Sequence, residues 1–503
     1  MLLSLQSLYS PQGIAMLISI FLFVGFFHIV YQCFLHPLAK YPGPLLASLT
    51  NVWKTYYVYK HILHEKLVEL HEQHGPVIRI GPNDLHFWNA EAIPAIYKAG
   101  KAMGKTEFYD GFTTFNPNLF GTRNEALHSV RRRQVSHGFS QASIEKMEPI
   151  IDDQMSILIN HVKGFAKTGE IFDMKNLISC FVLDVLGDVA FGRSFDAQIA
   201  GRADEIPAIN DHILLSCLIG EMGAWQDVLK ALMGYSPIAW IRRITRSRRL
   251  LKEKCASCVR RKMEDPSERL DLLQSLVRCQ DPGTGARLTE LDINTEAFAM
   301  LVAGSHSTSG TLGFLFWHLL HNRDVLDKVV QELDTSLGPL SGNQVGYSIK
   351  GLEGEIPYTM ACARENFRIH PVFSMNLWRR VNMYGAEIGE FIVPHGTNVC
   401  ISNYALHHNP DIWGADHNTY RPDRWLEGKA NTSNLIPFSV GHRMCIGKNL
   451  AMTNILKTTS TLLAMFEFET LSNQPARLLS SGIGELEGGF LCRVKMRRSR
   501  GEE

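Results

Sequence analysis

A chain of 503 residues with 45% hydrophobic and 20% charged side chains has the make-up of a packed globular protein, and a formal net charge of +1 excludes a case for nucleic-acid binding. No Pro/Gly/Ser-rich linker, internal repeat or low-complexity block divides it, so the length reads as one large unit. The first element is the apolar run Ile14 to Val30, free of Asp, Glu, Lys and Arg and long enough to cross a bilayer as a tilted helix. No charged residue precedes it while Lys40, Lys54 and Lys60 follow, which by the positive-inside tendency places the bulk of the chain in the cytoplasm. It reads as an uncleaved signal anchor, a cleavable signal being the alternative. The expected organisation is therefore a short lumenal tail (1–12), an anchor (13–31), a connector (32–46) and one domain (47–503). In a reducing compartment the ten cysteines argue against a disulfide framework.

His36-Pro37-Leu-Ala-Lys40-Tyr-Pro42-Gly43-Pro44 is a stiff, helix-breaking connector, because each proline restricts the residue before it. Phe108 to Phe120 is aromatic and turn-rich, and such aromatics serve a core as readily as a ligand pocket. His128-Ser-Val-Arg131-Arg132-Arg133 begins a helix with His128 and Arg132 on one face; for Arg131 and Arg133 a solvated basic face is an equal reading. Cys255-x-x-Cys258 falls in a helical pattern with no second cysteine or histidine pair nearby, against a zinc site. Leu291 to Leu320 is apolar around most of its circumference and predicts a central buried helix. Within it, Ala303-Gly304-Ser-His306-Ser307-Thr308 sets two small residues before a titratable ring and two hydroxyls; a core histidine bonded to a backbone carbonyl is the other reading of His306.

Glu365-Asn-Phe-Arg368 puts opposite charges on one helical face, a helix that stops near Pro371; alone it reads as an exposed ion pair worth at most about 1 kcal/mol. Trp378-Arg379-Arg380-Val381 opens a predicted β-hairpin running to Gly396, and Tyr420-Arg-Pro422-Asp423-Arg424-Trp425 follows. The sequon Asn431-Thr-Ser433 would stay unused in a cytoplasmic domain. The most informative segment is Phe438-Ser-Val-Gly441-His-Arg443-Met-Cys445-Ile-Gly447. Glycines allow turns that side chains would obstruct, Arg443 sets a cation beside the loop, and Phe438 can cover the sulfur from water. This suits an iron thiolate; a buried cysteine in a glycine-rich turn is the alternative.

Phe-x-x-Gly-x-Arg-x-Cys-x-Gly resembles the haem-binding signature of the cytochrome P450 family at every fixed position. Residues 36–44 resemble the hinge of its microsomal, filamentous-fungal members. The resemblance implies a mainly α fold with a small β-rich lobe, plus one N-terminal transmembrane helix. It implies haem b with Cys445 on the iron, Phe438, Gly441, Arg443 and Gly447 shaping the loop, and His128, Arg132 and Arg379 at the propionates. His128 stands where the family commonly has Trp, and His442 is either a further propionate contact or a surface residue. Ala303 and Gly304 would leave room for oxygen and substrate. The family then usually has Asp or Glu followed by Thr, whereas this chain has His306 and Ser307. The reading is that Ser307 protonates the distal oxygen and His306 connects it to water, with Thr308 as the alternative hydroxyl. Glu365, Arg368 and Arg424 would form a buried triad that serves folding.

The implied activity is a haem-thiolate monooxygenase that hydroxylates or epoxidises an apolar small molecule in terpenoid, polyketide or alkaloid biosynthesis. Alternatives are a benzoate-like aromatic-acid hydroxylase, a haem-thiolate isomerase, dehydratase or peroxygenase, and a non-catalytic haem-binding protein. No flavin or nicotinamide fingerprint occurs, so electrons would come from NADPH through a separate cytochrome P450 reductase, docking on Arg131 to Arg133, Lys448 and His442. Placement would be single-pass in the endoplasmic reticulum membrane. Pocket lining is expected from 108–120, Asp211 to Ala239, Val372 to Leu377 and Ile483 to Phe490.

Overall fold

The N-terminal apolar run forms the helix Pro11–Val30, started by Ser10, whose hydroxyl accepts the Gly13 N–H at 3.0 Å, and by proline in the first turn. The computed structural model describes residues 10–98, 103–264, 271–281, 283–340, 344–428 and 430–497. None of this helix's side chains is buried, and Phe21 is 77% exposed. With the turn Tyr31–Leu35 it gives an apolar span of 25 residues, compatible with a membrane anchor. The proline connector then docks on the body, the Pro42 carbonyl accepting the Arg79 N–H at 2.7 Å.

Lys54 departs from its reading as a membrane-flanking surface charge. It is 3% exposed, bonded to Asp84 and 3.0 Å from Glu221. Burial alone would lower its pKa, but the two carboxylates outweigh it and hold the amine above the usual lysine range. Proximity to the anchor in sequence therefore says nothing about its position in space.

The long helix is Glu290–His321, started by a reciprocal capping box between Thr289 and Asp292. Its small residues serve packing: a Cβ on Gly304 would meet Leu186 of the helix Met174–Phe191 at 2.7 Å, and one on Gly310 would meet the Gly484 carbonyl at 2.7 Å. Cys255 and Cys258 lie buried in the helix Ala239–Glu264. The β lobe is a five-stranded sheet in the order Val77–Gly81, Asp84–Phe87, Asn398–Cys400, Arg379–Arg380, Gly104–Lys105. Arg379–Arg380 therefore differs from the expected hairpin strand: the hairpin is Ala386–Ile388 with Phe391–Val393, and Arg379 pairs instead with Val399 beyond it.

The helix Pro357–Ile369 carries Glu365 and Arg368, both 0% exposed. Arg368 Nε and Nη2 donate to the Glu365 carboxylate at 3.0 and 2.8 Å, and Arg424 Nε and Trp425 Nε1 donate to it at 3.0 and 2.9 Å. This is a buried charge cluster, not the exposed pair that spacing alone gives.

Candidate active site

Residues 438–447 build the floor of a cavity of about 320 Å³. The loop closes on itself through the Cys445 N–H, which donates to the Phe438 carbonyl at 2.8 Å. Two successive bends need left-handed backbone: Gly441 at φ 73, and Ser439 at φ 59, where a non-glycine residue stores strain. Gly447, at φ −82, is an ordinary conformation, so no left-handed turn explains it. Arg443 pins the loop by donating to the Thr122 carbonyl at 2.9 Å and the Glu125 carboxylate at 2.8 Å. His442 also meets Glu125, at 2.8 Å. Of the ten cysteines Cys445 alone is exposed, and its sulfur lines the cavity. Phe438 lines the cavity too, edge-on to Phe367 at 5.2 Å.

Around the wall stand basic groups without acidic partners. Arg132 reaches in from the helix Glu125–Ser136, donating to the Met444 carbonyl at 2.5 Å. Arg379 is 2% exposed and donates to the Tyr109 hydroxyl at 2.6 Å, and Lys105 donates to the Phe120 carbonyl. Burial, with the Arg379 and Arg443 charges, pushes the Lys105 amine well below the usual lysine value. None of Arg132, Arg379 and Lys105 has a carboxylate partner among the described residues. His128 also lines the cavity; burial and the nearby Arg443 and Lys105 charges lower its pKa to about 3, so it is neutral, and its Nδ1 has no partner. Basic groups that line an apolar cavity without carboxylate partners call for an anion.

A cytochrome P450 family model matches residues 40–489. The chain belongs to the cytochrome P450 family. It is similar to a cytochrome P450 monooxygenase, cicH, of Emericella nidulans, 29% identical over 92% of this chain and 94% of that protein. A pisatin demethylase of Fusarium vanettenii is 28% identical over 88% of this chain and 87% of its own. Benzoate 4-monooxygenase bphA of Aspergillus niger is 27% identical over 86% and 88%. This P450 is thus an oxidoreductase of the monooxygenase type, and its family implies haem held by a cysteine thiolate. The cavity fits that group: one thiol on the floor, an apolar wall, and three unpaired cations with the orphaned Nδ1 of His128 where acidic haem edges require donors.

On the oxygen side, Ala303, Gly304, Ser307 and Thr308 of this P450 line the cavity. Ser307 Oγ is turned back to the Ala303 carbonyl at 2.6 Å, and Thr311 Oγ1 donates to the Ser307 carbonyl at 2.8 Å. His306 departs from the expected proton connector: it is 2% exposed and is not a cavity-lining residue. Burial lowers its pKa; Glu485 opposes and Lys175 adds to that effect. One residue of helical rotation separates it from the serine's face.

The expected basic docking face is also smaller than the sequence implied. Arg131 is buried, 2.5 Å from Asp292 and 3.2 Å from Glu296, and Arg133 pairs with Asp281 at 2.9 Å. His212 falls within the stretch Asp211 to Ala239 expected to line the pocket, whereas Lys105, Glu296 and Thr311 line the cavity without having stood in any motif. Only their distance from the long helix's small residues, or nothing at all, marked them.

Proposed function

We propose that Cys445 ligates the iron of haem b, with Arg132, Arg379, Lys105, His128 and Arg443 holding its propionates, and that the enzyme hydroxylates or epoxidises an apolar small molecule in secondary metabolism. When bound, the haem supplies reductive activation of dioxygen, one oxygen atom entering the substrate and the other leaving as water. What carries the reading is the convergence of one cavity-facing thiol and three cations lacking carboxylates. Phe438 and Phe367 keep water from the sulfur. Ser307 Oγ, released from the Ala303 carbonyl, holds the proton needed on the oxygen side, and Thr308 stands beside it as a second hydroxyl. Phe112, Phe298, Val372 and Ile483 exclude water and favour an apolar substrate.

Electrons would reach the site from NADPH through a separate acidic reductase, with Lys448 and the half-exposed Arg133 left on the thiolate side to meet it. The exposed apolar helix 11–30 would anchor the chain in the endoplasmic reticulum membrane with the catalytic domain in the cytoplasm. The test is the reduced, carbon-monoxide-bound Soret band of the full chain. Thiolate ligation shifts it strongly to the red, and Cys445→Ser should abolish that shift. An unshifted wild-type band overturns the assignment.

A further inference from the structure

The cavity is also lined by a polar ring that the oxygen chemistry does not use. His212, in the helix Glu205–Glu221, lines the cavity at 1% exposure, edge-on to Phe298 of the long helix with ring centroids 4.9 Å apart. Behind it, Arg248 of the helix Ala239–Glu264 donates from Nε to His212 Nδ1 at 3.1 Å. The same guanidinium donates from Nη2 to Ser216 Oγ at 2.6 Å and to the Gly111 carbonyl at 3.0 Å.

A guanidinium can only donate, so Nδ1 is the acceptor. Burial, with the Arg248 charge beside it, holds the imidazole well below its usual pKa and therefore neutral. A neutral ring that accepts at Nδ1 carries its single proton on Nε2. The protein gives that proton little to bind. Ser216 Oγ lies 3.5 Å from Nε2, at the outer limit of a hydrogen bond, and it already accepts from Arg248 while donating its own hydrogen to the His212 carbonyl at 2.8 Å. Arg248 itself has no carboxylate partner among the described residues: the adjacent Asp211 is engaged by Arg243 at 3.2 Å and by the Ser247 hydroxyl at 2.8 Å. The result is an underused N–H donor, made more positive by an uncompensated charge behind it, in a cavity that Phe112, Ile213, Phe298 and Leu377 also line.

We propose that His212 determines specificity, donating its Nε2–H to an acceptor oxygen, a carbonyl or a carboxylate, on an otherwise apolar substrate. Arg248 is a positioning residue that fixes the tautomer. The inference rests on the haem-thiolate reading only in taking this cavity as the substrate site.

The experiment uses the haem-loaded, detergent-solubilised full chain and equilibrium dialysis against fluorene, 9-fluorenone and fluorene-9-carboxylate, corrected for partition into detergent. Wild type should bind at least one oxygenated compound about tenfold more tightly than fluorene, the factor one hydrogen bond in a dry site supplies. Which of the two gains more tells a neutral acceptor from an anionic one. His212→Phe, which keeps the ring contact with Phe298, should bring the ratio close to one. His212→Gln, which can accept from Arg248 and still donate into the cavity, should keep it.

A wild type that does not prefer either oxygenated compound overturns the proposal without any variant, and so does failure of all three to bind. Retention of the full preference by His212→Phe also overturns it. The carbon-monoxide band of the same preparations reads the haem-thiolate assignment separately: a red-shifted band with no oxygen preference refutes His212 alone.

Discussion

Glu365→Gln is expected to destabilise the whole domain while leaving the cavity intact. The carboxylate is 0% exposed and accepts five hydrogen bonds: two from Arg368, one each from Arg424 Nε and Trp425 Nε1, and one from the Arg421 backbone N–H at 3.0 Å. Glutamine keeps one carbonyl oxygen, turns an NH2 toward donors and removes the only charge that both guanidiniums share. Breaking a buried ion pair from one side costs roughly 3–5 kcal/mol, a fifth or more of a typical stability of about 5–15 kcal/mol. For a domain of this size, whose unfolding entropy at about 2.1 cal/mol/K per residue is roughly 1 kcal/mol/K, that corresponds to a fall in Tm of roughly 3–5 °C. Thermal unfolding followed by circular dichroism, with variant and wild type scanned at one rate because many large chains unfold irreversibly, measures it. Arg421→Ala is the control, since its side chain is 38% exposed, pairs with Glu427 and should cost at most about 1 kcal/mol. A Glu365→Gln protein that melts within about 1 °C of wild type would refute the argument that this cluster is held by mutual desolvated charge. The folded fraction should keep a red-shifted carbon-monoxide band, because none of the three charges lines the cavity.

Lys54→Met should cost a similar roughly 3–5 kcal/mol by leaving Asp84 and Glu221 buried without their cation, and the loss, read by the same melts, should shrink at acid pH where Glu221, whose pKa burial already raises, is neutralised. Glu296 is pushed up to about 7 by burial, only partly opposed by Arg131, so the folded state binds its proton more tightly than the unfolded chain. Its contribution is therefore most favourable below about 4.5 and declines by up to about 3 kcal/mol as pH rises to about 7. Glu296→Gln should remove that decline from stability measured across the same window, and an unchanged pH profile would contradict it. Ser307→Ala should lower product formed per NADPH severalfold and raise peroxide, with Thr308→Ala having the smaller effect; wild-type coupling in Ser307→Ala would remove Ser307 from proton delivery.

The elements that could be read from sequence are those whose cause is local. The apolar run after Ser10 makes a helix because no charged residue interrupts it, and the long helix follows from the run Leu291 to Leu320, apolar around most of its circumference. The loop around Cys445 was legible because glycine, arginine and cysteine stand there at fixed spacing. Arg131 and Lys54 were not legible, since their carboxylate partners come from 161 and 30 residues away. A basic residue on a helix looks the same whether it meets water or a buried acid.

By itself the sequence determined the family, the thiol on the cavity floor and the apolar helix at the N-terminus, because each is written in contiguous residues. Tertiary structure alone decided which charges meet. It turned Glu365 into the hub of a buried cluster, left Arg132, Arg379 and Lys105 unpaired around one cavity, and set the Ser307 face of the long helix, not the His306 face, against that cavity. It also set Arg248 behind His212, fixing a proton on one nitrogen of a ring that in the sequence was only one of twenty histidines. The physical reason is common to all of these: desolvation gives a charge its consequence, and burial is a property of the packed chain, not of any segment of it.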